Sequence, residues 1–132
     1  MDKKQKTLSK YRLEKAKEEL QTAEINFNHN KISQSVNRSY YAIFHTLRAL
    51  LAFELFDSKR HSAIIAHFNQ KFVATGLIDK TYYKMLAAAF DIRLKCDYQD
   101  FYVVSKEEAK KQLDNASQFI NYIEQYIASN YQ

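Results

Sequence analysis

Residues 37–51 read NRSYYAIFHTLRALL. With the preceding residue, Val36, Tyr40, Ile43, Leu47 and Leu50 recur every three or four positions, so the stretch is a helix with one apolar stripe. A second set, Arg38, Tyr41, His45 and Arg48, is spaced by three, four and three. These four residues therefore line another face of the same helix. A cation, a phenol, an imidazole and a second cation in a row can hold phosphate and stack a base. The same spacing also describes an ordinary, partly solvated helix face, and spacing alone favours that reading.

Outward from this helix, the chain keeps the helical period. Leu13, Ala16, Leu20, Ala23 and Phe27 predict a helix over 7–28, and the polar run 28–31 separates it from a second helix over 31–56. The run 57–60 breaks that helix. Ile64, Ile65, Phe68, Phe72 and Val73 then predict a third over 61–75, with Gly76 placed to stop it in a left-handed conformation. Asp79 caps a fourth helix over 80–96, whose apolar side holds Tyr82, Met85, Leu86, Ala89 and Ile92. Ser105 and Glu108 form a capping box for a last helix through 128. One Gly and no Pro in 132 residues agree with long helices and few tight turns. The expected fold is all-α: an up-and-down bundle of about five helices forming a single domain over 1–132, with 1–7 as a flexible basic tail.

The net charge of +5 is local. Residues 1–17 hold seven Lys/Arg against two Asp/Glu, and the remainder is balanced at thirteen each. A basic terminal segment, rather than a basic folded surface, sets the pI, which makes composition weak support for a nucleic-acid partner. No apolar run approaches the ~20 residues that span a membrane, and the basic start lacks the apolar core of a signal peptide. One cysteine, Cys96, excludes an intramolecular disulfide and a Cys-rich zinc centre. The simplest reading is a cytoplasmic protein with no metal and no cofactor.

Arg93 stands at the edge of the fourth apolar stripe, with Asp97 at i+4 and Tyr98 at i+5. One reading is a local Arg–Asp pair, worth under ~1 kcal/mol at an exposed position. The other is a phosphate-binding guanidinium oriented by Asp97 and backed by a phenol. His61 opens the third helix, where it either caps or meets a phosphate. His29 and His67 read as surface histidines, and Cys96 as a small buried hydrophobe.

Four blocks in this order, NRSYYAIFHTLRALL (37–51), KRHSAIIAHFNQKFVATG (59–76), IRLKCDYQDF (92–101) and SKEEAKKQLDNASQFINYI (105–123), resemble the HEPN-domain family, in particular its small stand-alone prokaryotic members. The resemblance covers about residues 8–128. It implies a helical bundle, usually a homodimer, in which two copies of an R-x4-6-H motif meet in a cleft. Such members are metal-independent ribonucleases, often toxins, frequently paired with a minimal nucleotidyltransferase antitoxin. Their Arg binds the scissile phosphate and their His transfers a proton. Here Arg93 matches the arginine, but no His follows at the required spacing; Tyr98 stands in that region, and Leu94 replaces the usual polar residue. The open alternatives are a different role for Tyr98, a His from elsewhere, or binding without cleavage. The candidates are therefore Arg93, Tyr98 and His45 for catalysis, and Asn37, Arg38, Tyr41, Arg48, His61 and Asp97 for holding RNA or a nucleotide. The alternative function is a non-catalytic dimeric scaffold for a nucleotidyltransferase partner or a nucleotide.

Overall fold

A computed structural model of the chain describes residues 2–131 and contains, among them, five α-helices and no strand. These are α1 (Lys3–Asn28), α2 (Ile32–Leu51), α3 (His61–Phe68), α4 (Lys80–Tyr98) and α5 (Lys106–Asn130). The all-α bundle read from the periodicity is what forms. The second helix is its axis: α2 packs against α1, α4 and α5. Val36, Tyr40, Ile43, Leu47 and Leu50 are each at most 1% exposed, and Ala42, Ala49 and Leu51 join them in the interior. Full burial of one such large side chain contributes about 1.5–3 kcal/mol, so this stripe anchors the domain.

Small residues let α1 come close to α2. Ala16 and Ala23 are fully buried, and the Ser35 hydroxyl donates across the contact to the Ala23 carbonyl at 2.8 Å. The caps act as the sequence predicts. Asp79 accepts from the Thr81 amide, Ser105 accepts from the Glu108 amide, and Gly76 sits at φ +83°. The Ser105 capping box is closed on one side only, because the Glu108 carboxylate takes a hydrogen bond from Gln112 instead.

Three boundaries differ from expectation. The segment expected as a flexible tail at 1–7 is helical from Lys3, because Asp2 caps α1 by accepting from the Lys4 amide at 2.9 Å. Met1 lies outside the described residues. The expected helix over 31–56 stops at Leu51, tightens into a 3-10 turn over Ala52–Glu54, and ends with Leu55 at φ +52°. The Phe56 amide reaches back to the Leu51 carbonyl at 3.4 Å, a Schellman-type closure with leucine where glycine is usual. Past Phe68, the third helix widens into a π-helical turn over Asn69–Val73.

Candidate functional site

The second stripe of α2 occupies the margin of the bundle. Arg38, Tyr41, His45 and Arg48 are each half-buried, neither in the core nor free in solvent. Tyr41 is the hub. The Arg38 guanidinium lies 4.9 Å from its ring centroid, and that of Arg93, arriving from α4, lies 5.4 Å away. The His45 ring is 6.1 Å from Tyr41 and the His61 ring 5.9 Å. Arg38, His45, His61 and Arg93, separated by up to 55 positions in the chain, thus share one aromatic neighbour.

Each cation is held in place. Arg93 Nη2 donates to the Tyr41 hydroxyl at 3.2 Å, and its guanidinium also covers the Tyr40 ring at 5.3 Å. Arg93 Nε is 3.1 Å from the Asp97 carboxylate, but the N–H points away from ideal hydrogen-bond geometry, so this contact is chiefly an ion pair. Arg38 donates to Glu19 at 2.8 Å and to the Asn37 side-chain oxygen. Asn37, Arg38, Cys96 and Asp97 line a depression of about 400 Å³. Burial, and then Asp97, push the Cys96 thiol up, which keeps it protonated.

The two histidines are neutral for related reasons. His45 is pushed down to about 4, first by burial and then by Arg48, Lys15, Arg38 and Arg12. Its Nδ1 is buried without a hydrogen-bond partner among the described residues. His61 is lowered by burial, Arg93 and Arg48. It stacks on Phe44 at 4.0 Å, and its Nδ1 lies 2.8 Å from the Tyr40 hydroxyl. Burial keeps the Tyr40 phenol protonated, so its hydrogen bond with the neutral imidazole joins two uncharged groups.

Arg48 is not among the cations over Tyr41. Its guanidinium grips the Asp57 carboxylate through Nε at 3.3 Å and Nη2 at 2.7 Å. Tyr98, proposed beside Arg93, is 76% exposed on the last turn of α4 and is not brought to Tyr41 within this chain. His67, read as a surface histidine, is instead tucked against Phe56 with ring centroids 3.9 Å apart.

Sequence reasoning missed Arg12, Glu19 and Asp57. Arg12 is only 9% exposed and donates to the Arg48 carbonyl at 3.0 Å and to Asp57 at 3.3 Å. A signal existed: Ser9, Arg12, Ala16 and Ala23 share the buried side of α1, so Arg12 continues a small-residue stripe. Among the described residues no three His, Cys, Asp or Glu side chains converge as a metal-ion site, and no helix is long and apolar enough to cross a membrane.

The family model for the HEPN domain matches residues 9–126. A Thermotoga maritima protein named "UPF0332 protein" is 32% identical over 127 residues, which covers 96% of both chains. A Methanocaldococcus jannaschii protein named "Putative toxin" is 33% identical over 115 residues, covering 87% of this chain and 85% of its own. An Archaeoglobus fulgidus "UPF0332 protein" is 32% identical over 119 residues, covering 90% and 94%.

Proposed function

Because the chain belongs to the HEPN-domain family, we propose that it binds RNA as a homodimer through the cationic and aromatic face around Tyr41. The observation that carries this reading is the convergence of Arg38 and Arg93 on one tyrosine from two helices. Two guanidiniums fixed beside a phenol offer charge and fork geometry to phosphate, with an aromatic plane for a base. Asn37, Asp97 and His61 complete the face by fixing or flanking these groups. The fluorescence anisotropy of a short labelled single-stranded RNA of mixed sequence tests it. Wild-type chain binds, and the Arg38→Ala/Arg93→Ala pair loses most of that affinity at near-physiological salt. Equal binding by the pair refutes the assignment.

A second reading is a metal-independent ribonuclease, the toxin component of a toxin–antitoxin-like pair with a minimal nucleotidyltransferase as its partner. The toxin name of the Methanocaldococcus jannaschii relative and the neutral imidazole of His45 favour it. In that reading Arg93 stabilises charge developing on phosphate, and His45 or Tyr98 handles the proton. Cleavage of a mixed RNA in EDTA, read by gel, separates the two readings.

A further inference from the structure

One end of the bundle carries an apolar surface that the RNA-binding reading does not use. Leu8 is 41% exposed, Tyr11 57% and Leu55 81%. Two adjoining depressions, about 420 and 720 Å³, share Asp2, Lys4 and Leu8; one extends to Leu55 and Phe56, the other to Tyr11. Together they make a continuous path over the first turns of α1 and the 3-10 turn after α2. Lys4, Leu8, Tyr11 and Lys15 follow each other by four, three and four along α1, which places them on one face. A lysine thus stands at each end of the apolar stripe, and the Lys15 ammonium lies 6.0 Å from the Tyr11 ring centroid.

Two further features mark this surface. Leu55 has left-handed backbone at φ +52°, a conformation glycine takes freely and leucine rarely adopts. The strain is retained where it presents an aliphatic side chain to solvent, a pattern found at binding positions. The charge here is also uncompensated. Lys17 is paired with Glu124 at 2.7 Å, but among the described residues Lys3, Lys4, Lys6, Lys10 and Lys15 have no carboxylate within 4.0 Å. Of the acids that line the two depressions, Asp2 caps α1 and Asp57 is held by Arg12 and Arg48, while Glu14 and Glu18 lie further along α1.

We propose that this groove docks a partner-protein segment that is both acidic and apolar: an amphipathic helix with Leu, Ile or Phe at i, i+3 or i+4 and i+7, flanked by Asp or Glu. The run from Lys4 to Lys15 rises ~16 Å, about three turns of such a helix. Leu8 and Leu55 offer neither charge nor a stacking plane, so they have no role toward nucleic acid. They gain only when covered by apolar surface. A concave path also fits a row of side chains rather than a flat lipid surface.

The test is selection of a displayed random peptide library on the full wild-type chain. Enriched peptides should combine acidic residues with apolar residues at helical spacing, and bind more weakly as salt rises. Leu8→Ser/Leu55→Ser and Lys3→Glu/Lys4→Glu should each weaken the best peptide by roughly tenfold or more. All four positions are exposed or at the helix start, and circular dichroism confirms that the variants fold. On the unaltered chain, the peptide should slow amide exchange in residues 3–15 and 52–57. Peptides without acidic bias, binding indifferent to both variants, or protection elsewhere would overturn the proposal. So would Leu8-dependent binding to phosphatidylglycerol/phosphatidylcholine vesicles with no peptide enriched, or RNA protecting the same residues.

Discussion

Arg93 on α4 lies against Tyr41 on α2: its Nη2 donates to the hydroxyl at 3.2 Å, and its guanidinium carbon is 5.4 Å from the ring centroid. The contact fixes the orientation of a planar cation, something a flexible ammonium cannot reproduce. Arg93→Lys should therefore weaken RNA binding nearly as much as Arg93→Ala, by about 1.5–3 kcal/mol. Tyr41→Phe keeps the ring and loses the hydroxyl acceptor, so its effect should be smaller. Anisotropy titrations at fixed salt rank the three. Full affinity in Arg93→Lys would mean that charge alone matters.

Arg12 should matter to stability more than a surface arginine does. It is buried, it satisfies the Arg48 carbonyl, and it shares the Asp57 carboxylate with Arg48. Because Asp57 is partly exposed, water screens part of the loss. Arg12→Ala should cost about 1.5–3 kcal/mol, and Asp57→Asn somewhat less. The variant's shift in urea midpoint reads the difference. A midpoint within error of wild type would show Arg12 to be an ordinary surface charge.

His45 makes a prediction with a definite sign. Its folded pKa is about 4, below the ordinary histidine value of 6.5. Between those values the unfolded chain binds a proton that the folded chain refuses, so stability is full above pH ~6.5 and falls as pH drops toward 4. Arg12, Lys15, Arg38 and Arg48 set this depression after burial, with Glu18, Glu19 and Tyr41 also lining the pocket. His61 is lowered too and adds a loss of the same sign. Urea midpoints at pH 7 and pH 5 should differ less in His45→Asn than in wild type. An equal or larger difference would show that His45 titrates normally.

Tyr98, Phe101 and Val103 form a second exposed apolar group, at 76%, 101% and 85% exposure, with Phe101 in left-handed backbone at φ +63°. Burial of this group against a second copy would remove it from water and bring Tyr98 next to the partner's surface. Light scattering of wild-type chain at micromolar concentration should give the dimer mass. Phe101→Ser/Val103→Ser should shift it toward the monomer. A wild-type monomer would remove the dimer from the functional reading.

The parts of the fold that were legible depended on residues whose backbone preference or periodicity is strong. Val36, Tyr40, Ile43, Leu47 and Leu50 declared α2, and Asp79, Ser105 and Gly76 declared their caps. The end of α2 was not legible, because Leu55 takes the left-handed position without glycine's signature. The start of α1 was obscured by Lys3, Lys4 and Lys6, which oppose the helix dipole and read as a tail. The stripe from Arg38 to Arg48 was visible, but its division was not. Arg38 turns to Glu19 and Tyr41, while Arg48 turns to Asp57, and those partners lie in other segments. Tyr40 read as pure core, and its bond to His61 depends on a tertiary contact that spacing does not encode.

The remaining prediction concerns the proton in the ribonuclease reading. Attack by a ribose 2′-OH needs a base, a positive group on the developing phosphorane and an acid for the leaving oxygen. Arg93 is the positioned cation, so if cleavage occurs Arg93→Ala should remove about 2–4 kcal/mol of transition-state stabilisation. His45 is neutral at pH 7, but its Nδ1 is buried and its low pKa makes it a weak base. An RNA phosphate beside it would offset the surrounding cations and raise that pKa toward neutrality. His61 is committed to Tyr40 through Nδ1, which leaves only Nε2 for chemistry. The expected order of damage is therefore Arg93→Ala, then His45→Ala, then His61→Ala. Tyr98→Phe reports on the dimer, since an exposed phenol acts only if a second copy brings it to the phosphate. Gel assays of purified protein with mixed RNA in EDTA measure all four. Cleavage that needs added metal would refute the 2′-OH mechanism. RNA binding with no cleavage by wild-type chain would leave the cationic face around Tyr41 as a binding surface only.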